Sequence, residues 1–250
     1  MPKQKPQQKK KGKITSPAKT TPAKISLGLR LGLGLSLGLI FAFAVLFVTA
    51  GTLDYWQGWA FLAVFFIPNA FTFIYFLRRD PEFLERRLRN KERFEEQKLL
   101  LRWGKPFYLV AFLLPGCDER WGWSRSLVGD VPLWLTILSQ VMILGSLLLI
   151  FWVLYVNRFA SRIVEVEAGQ AVISHGPYRM VRHPYYFATV LLWLFTPLAL
   201  GSWIALPAFV LLIPFYVIRL LSEEKVLRAQ LAGYSEYCLR TRFRLIPFVW

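Results

Sequence analysis

Apolar residues run through this chain in blocks longer than the helices of a soluble core require. Leu31 to Thr52, Trp59 to Leu77 and Val131 to Val156 each approach or exceed the roughly 20 residues that cross a bilayer. Tyr185 to Leu200 and Trp203 to Leu221 are two further apolar helices separated only by Gly201-Ser202. So short a connection enforces an antiparallel helical hairpin. Leu99 to Cys117 is interrupted by Arg102 and Lys105, but long basic side chains near one end of a span can reach the interface. Counted as a crossing, it brings the total to about six membrane segments. The pattern predicts an all-α membrane protein, a polytopic helical bundle ending in a hairpin and a polar tail.

The polar stretches between blocks give the orientation. The basic N-terminus, Arg78 to Lys98, and Asn157 to His183 fall on one side if all six segments cross, and the excess of Lys and Arg there marks that side as cytosolic, with both termini. Between the second and third blocks, Asp80 is placed to cap a helix with Pro81 at its first position. Glu82 with Arg86 and Glu85 with Arg89 are pairs four apart, so an amphipathic helix over 80–98 is expected along the interface. Ile163 to Glu167 and Ala171 to Ile173, flanking Ala168-Gly169-Gln170, suggest a short β-hairpin. In the first span Gly28 and Gly32, and Gly34 and Gly38, are four apart and would line a face open to close helix approach.

Composition changes this picture in two places. The net charge of +16 resembles a nucleic-acid signature, yet nine of the 31 basic residues lie in Met1 to Arg30, which has no acid. That stretch of Lys, Gln, Pro, Ser and Thr cannot bury apolar surface, so residues 1–30 are expected to be a disordered basic tail suited to anionic lipid, with no specific nucleic-acid partner. The two cysteines, Cys117 and Cys238, fall on opposite sides of the membrane, so neither a disulfide nor a two-cysteine metal site is expected. Residues 31–157 then form the membrane helices and 158–250 the region that carries the chemistry.

Polar chemistry concentrates in Ser174 to Tyr186, which holds both histidines, His175 and His183, with Arg179 and Arg182. Gly176-Pro177 begins a turn and His183-Pro184 opens a helix. A charged loop that only fixes topology is the simpler reading, but histidines and a Gly-Pro turn together point to a site. The hairpin returns Arg219, Glu223 and Glu224 to the level of His183, and Tyr234, Tyr237, Arg240, Arg242 and Arg244 follow on that face.

Gly-Pro-Tyr-Arg-x-Val-Arg-His-Pro-x-Tyr, then Arg-x-x-x-Glu-Glu, Tyr-x-x-Tyr and a closing Arg-rich segment with Ile-Pro resemble the isoprenylcysteine carboxyl methyltransferase family and its phospholipid-methyltransferase relatives. The resemblance covers Val172 to Pro247, with a looser one to bacterial members upstream. It implies a membrane enzyme using S-adenosylmethionine on a lipophilic or lipidated acceptor that enters from the bilayer. By motif, Gly176, Pro177, Tyr178, Arg179, Val181, Arg182, His183 and Tyr186 would line the cofactor pocket. Glu223 and Glu224 would bind cofactor, Tyr234 and Tyr237 would close over it, and no metal is implied. Ala188 stands where many members have glycine.

A carboxylate acceptor is already a nucleophile and could be oriented by Arg219, giving O-methylation; an amine acceptor would need Glu223 as base. Catalytic roles therefore fall to Arg219 and Glu223. Phospholipid or amine N-methylation is the nearest alternative. An NADPH-dependent sterol-type reductase is another, since such reductases share a related Arg-His-Pro-x-Tyr segment. A transporter or scaffold would carry charges inside the spans, whereas here they gather at one face.

Overall fold

The computed structural model describes residues 27–87, 95–160, 166 and 169–250. Most of the expected tail, residues 88–94 of the helix expected over 80–98, the Glu85–Arg89 pair and most of the expected hairpin lie outside the described residues. Among the described residues ten α-helices follow in order: α1 (Leu27–Phe43), α2 (Trp56–Arg79), α3 (Pro81–Arg87), α4 (Glu95–Trp121), α5 (Trp123–Leu127), α6 (Leu133–Val156), α7 (Pro184–Ala199), α8 (Leu206–Val210), α9 (Ile213–Gln230) and α10 (Tyr234–Arg240). A π-turn over Ala44–Val48 extends α1, and a 3₁₀ turn covers Gly176–Arg179.

Among the described residues there is no strand, and 171–173 are irregular. The β-branched residues there find a different burial. Val166 and Val172 pack against Leu231, Tyr234, Tyr237 and Cys238, and an isolated two-stranded ribbon has little stability of its own.

By length and hydropathy four segments can cross a membrane: Leu27–Val48, Trp56–Arg79, Leu133–Val156 and Leu206–Gln230. This is a membrane protein, but six crossings are not established on that criterion. The other two candidates are α4, whose first turns are charged, and α7, which is only 16 residues long. α7 nonetheless runs between the two ends of the bundle. At one end Asp118 of α4, 4% exposed, accepts hydrogen bonds from the Ser202 and Ser124 hydroxyls and the Ser124 amide. Tyr55 reaches the same end and donates to the Leu200 carbonyl, 2.6 Å, while Gln140 donates to Ala199, 3.0 Å. These bonds satisfy carbonyls that the C-terminus of α7 leaves without helical partners. At the opposite end Arg87 donates to the Ala160 carbonyl, 2.8 Å, and Arg158 pairs with Asp80 at 3.3 Å. The expected cap is present there: the Phe83 amide donates to Asp80 Oδ1, 3.1 Å.

Small residues let the helices approach. α7 packs most extensively on α6, and the buried positions of the two include Thr136, Ser139 and Ser146 on α6 and Ala188, Thr189, Thr196 and Ala199 on α7. This is how helices associate where lipid removes the hydrophobic drive between them. Ala188 is fully buried. The glycine face expected on α1 is only half used: Gly28 and Gly38 lie against Leu77 and Phe66 of α2, whereas Gly32 and Gly34 face open space. Prolines shape the hairpin's second limb. The helix expected over 203–221 is broken at 211–212 into α8 and α9, because Pro214 has no N–H to continue the ladder; α9 then carries on to Gln230.

The tightest approach is at Gly116 on α4, which faces the π-turn of the first span. A Cβ there would overlap Thr49 Oγ1 and lie 2.6 Å from the Leu46 carbonyl oxygen. Gly116→Ala is expected to lower stability by about 1–3 kcal/mol through overpacking. Gly145→Ala on α6, with nothing within 4 Å of its Cβ, should be near neutral. Thermal unfolding of both variants in detergent measures the contrast.

Candidate functional site

The Arg-His-Pro turn and the paired glutamates, 41 positions apart at Arg182 and Glu223, converge at one end of the bundle. Arg182 Nη1 lies 2.6 Å from Glu224 Oε1. The hairpin accounts for this, since α7 leaves this end at Pro184 and α9 returns to it.

Glu224 is the hub. Oε1 accepts from Arg182 and from Arg228 Nη2, 2.7 Å, and Oε2 accepts from Arg244 Nε, 2.8 Å. Arg182 is equally committed. Its Nε donates to the Thr241 carbonyl, 2.8 Å, and its Nη2 to the carbonyls of Arg242, 3.0 Å, and Cys238, 3.2 Å. The backbone reinforces the junction: the amides of Arg182 and His183 donate to the carbonyls of Phe243 and Arg244. The C-terminal segment is thereby fastened across the Arg-His-Pro turn. Both oxygens of Glu224 and all three nitrogens of Arg182 are used by protein partners.

Glu223, one residue earlier, faces differently. Its Oε2 accepts from the Tyr186 hydroxyl, 2.6 Å, and Arg219 acts on that same hydroxyl. Tyr186 therefore links α7 to the Arg219–Glu223 turn of α9. His183 is 4% exposed and Tyr234 equally buried, and the His183 Nε2 and Tyr234 hydroxyl have no hydrogen-bond partner. Both feel the charges of Glu223 and Glu224. Burial, opposed by those carboxylates, lowers the His183 pKa below its ordinary 6.5. The imidazole is therefore neutral at pH 7.

The remaining candidates build the walls. Gly176 has φ +59, and a Cβ there would sit 3.2 Å from Val156 Cγ2, so a larger residue would meet both backbone strain and α6. Pro177 and Val181 are buried. The Tyr178 hydroxyl accepts from Asn157 Nδ2, 2.8 Å, and its carbonyl accepts from the Tyr237 hydroxyl, 2.7 Å. Burial pushes the Tyr237 pKa up to about 12, which keeps that donor protonated. Arg179 and His175 are exposed. Cys117 and Cys238 are both free, at opposite ends of the bundle, and no group of three or more metal-ligating side chains occurs among the described residues.

Residues 134–232 match the model of the phospholipid methyltransferase family. The match takes in α6, the Arg-His-Pro turn, the hairpin and the glutamate pair, and it points to a membrane methyltransferase, of a family whose members generally use S-adenosylmethionine. No curated protein matches the chain.

Two contributors lay outside the sequence reading. Arg228 is four residues beyond Glu224, a helical pairing distance that could have identified it. Asn157, which ends α6 and holds Tyr178, carried no signal.

The buried Arg182–Glu224 pair is the part of the junction that should matter, because Arg228 and Arg244 are 42% and 36% exposed. Glu224→Gln is expected to cost about 3 kcal/mol by leaving buried Arg182 without its counter-charge. Arg228→Ala should cost under about 1 kcal/mol. Thermal unfolding, with limited proteolysis of the C-terminal segment, reads both. Because the folded pKa of His183 is lowered, its contribution to stability is present above pH 6.5 and lost as pH falls through the folded value. His183→Gln should flatten the loss of melting temperature between pH 7 and 5.

Proposed function

We propose that this protein is an S-adenosylmethionine-dependent methyltransferase of a lipophilic acceptor, most readily a carboxylate that it methylates on oxygen. The observation that carries the reading is the pair of orphaned polar atoms, His183 Nε2 in the matched segment and the Tyr234 hydroxyl just beyond it, both buried and both under the charges of Glu223 and Glu224. Buried polar groups without partners cost free energy and call for a ligand that satisfies them. A neutral imidazole, a phenol donor and a carboxylate suit the amino, carboxyl and hydroxyl groups of such a cofactor. When bound, it supplies a methyl group on a positively charged sulfur, which leaves as a neutral thioether.

The division of labour follows from what each group touches. Arg182, Glu224 and the C-terminal carbonyls hold the pocket's frame. Glu223, His183 and Tyr234 bind within it, and Gly176 to Val181 with Tyr237 form its walls. Arg219 orients the acceptor carboxylate. A carboxylate carries its own electron pair and releases no proton, so positioning and exclusion of water provide the rate gain. The excess of basic residues at this end supports a cytosolic position for it.

Amine methylation remains the second reading, favoured by the description of the matched family. It requires a base, and Glu223, whose Oε2 accepts from the Tyr186 hydroxyl, is the carboxylate assigned that task. Purified protein incubated with methyl-labelled cofactor and native membrane lipids should yield a labelled product. S-adenosylhomocysteine, and not NADPH, should raise the melting temperature. Arg219→Ala is expected to abolish transfer while leaving that thermal shift, and equal loss of both would refute the orienting role. Glu223→Gln separates the chemistries: a carboxylate acceptor predicts retained turnover at saturating cofactor, an amine acceptor its loss.

A further inference from the structure

Three helices bring polar atoms together deeper in the bundle, away from the loop end. The hydroxyls of Tyr108 on α4 and Tyr216 on α9 are hydrogen-bonded to each other, and Trp193 Nε1 of α7 donates to the Tyr216 oxygen at 2.7 Å. The surroundings are apolar. Tyr108, Phe112 and Trp193 pack on the cluster of Ala111, Ala205, Phe209 and Leu212.

Proton counting shows that this triad is incomplete. The indole N–H can only donate, so the Tyr216 oxygen accepts from it. One hydroxyl proton lies between the two tyrosines, and the other must point out of the triad. Among the described residues no acceptor takes it. A surplus donor among half-buried, largely apolar side chains marks a place for an acceptor atom from elsewhere. The triad offers no cation, so the atom that suits it is an uncharged oxygen.

Its position relates it to the proposed chemistry. Tyr216 precedes Arg219 by three residues, so the two lie on one face about 4.5 Å apart along the axis. The Tyr186 ring, whose hydroxyl is on Glu223, has its centroid 6.4 Å from that of Tyr216. A row of polar groups therefore runs from Glu223 through Tyr186 and Tyr216 to Tyr108. On the outer side of the α4–α9 contact, the rings of Phe107 and Phe215 meet at 5.7 Å, with Phe107 exposed.

We propose that the Tyr108–Tyr216–Trp193 triad binds a neutral carbonyl oxygen of the methyl acceptor, about one helical turn below its reacting head. It thereby selects amphiphiles with an amide or ester beside the head over plain-chain acids. The inference rests on the reading that Arg219 receives a carboxylate head. A purely structural role for the triad, tying α4 to α7 and α9, is the competing account.

The test uses the full chain in nanodiscs, methyl-labelled cofactor, and two probes with the same head. One is N-palmitoylglycine, with its amide carbonyl next to the carboxylate; the other is stearic acid, a plain chain of similar length. The expected result is a preference of about five- to tenfold in kcat/KM for N-palmitoylglycine, the size of one net neutral hydrogen bond. Tyr108→Phe/Tyr216→Phe together should erase it by raising KM for that probe alone, while Trp193→Phe, which leaves both hydroxyls, should keep most of it. Equal methylation of both probes by the unaltered protein overturns the proposal and leaves the carboxylate reading standing, and this arm needs no variant to fold. A parallel loss on both probes with a lowered melting temperature also overturns it, in favour of the structural account. If neither probe is labelled while S-adenosylhomocysteine still raises the melting temperature, the carboxylate reading falls and the proposal with it.

Discussion

A buried carboxylate holding three arginines is the interaction on which the rest of this site depends. Glu224 sits at 3% exposure and joins the Arg-His-Pro turn, the last turns of α9 and the C-terminal segment through Arg182, Arg228 and Arg244. Removing a carboxylate from water is costly, and the cost is met only because its oxygens are fully occupied. Arg182 extends the same constraint to the chain end by donating to three backbone carbonyls. The site's shape is therefore fixed by ionic and hydrogen-bonded closure in addition to the apolar cluster around Leu231 and Tyr237.

The opposite end of the bundle solves a related problem with hydroxyls and amides around a single buried aspartate. Asp118, Ser124 and Ser202 join α4, α5 and the hairpin turn, and Tyr55 and Gln140 satisfy the carbonyls that end α7. α7 is thus held at both ends, at His183 by the C-terminal segment and at Ala199 and Leu200 by Gln140 of α6 and Tyr55 at the start of α2. A helix so fixed keeps Tyr186 in register with Glu223. That link carries rigidity from the packed α6–α7 contact into the pocket.

Adjacent glutamates in α9 illustrate how neighbouring residues of one type take different tasks. Successive helical positions point about 100° apart. Glu224 turns toward the arginines and is consumed in structure, and Glu223 turns toward the Tyr186 hydroxyl. A motif written as a pair thus contains two residues with different partners.

Much of the fold was legible in the chain itself. The apolar blocks, the Gly201-Ser202 hairpin, the Asp80-Pro81 cap and the clustering of histidine, arginine and glutamate at one end follow from periodicity and from the cost of placing charge in lipid. Local pattern misled at 171–173, where β-branched residues serve a side-chain cluster, and across 203–221, where a proline outweighed apolar continuity. Sequence could bring Arg182, Glu223 and Glu224 to one end, but it could not say which oxygen meets which nitrogen. Only the tertiary structure decided that Glu224 closes the frame while Glu223 faces inward, and that Tyr108, Trp193 and Tyr216, each an ordinary aromatic in its own helix, share their polar atoms. Such roles depend on the relative rotation of packed helices, a property of their contacts and of no single segment.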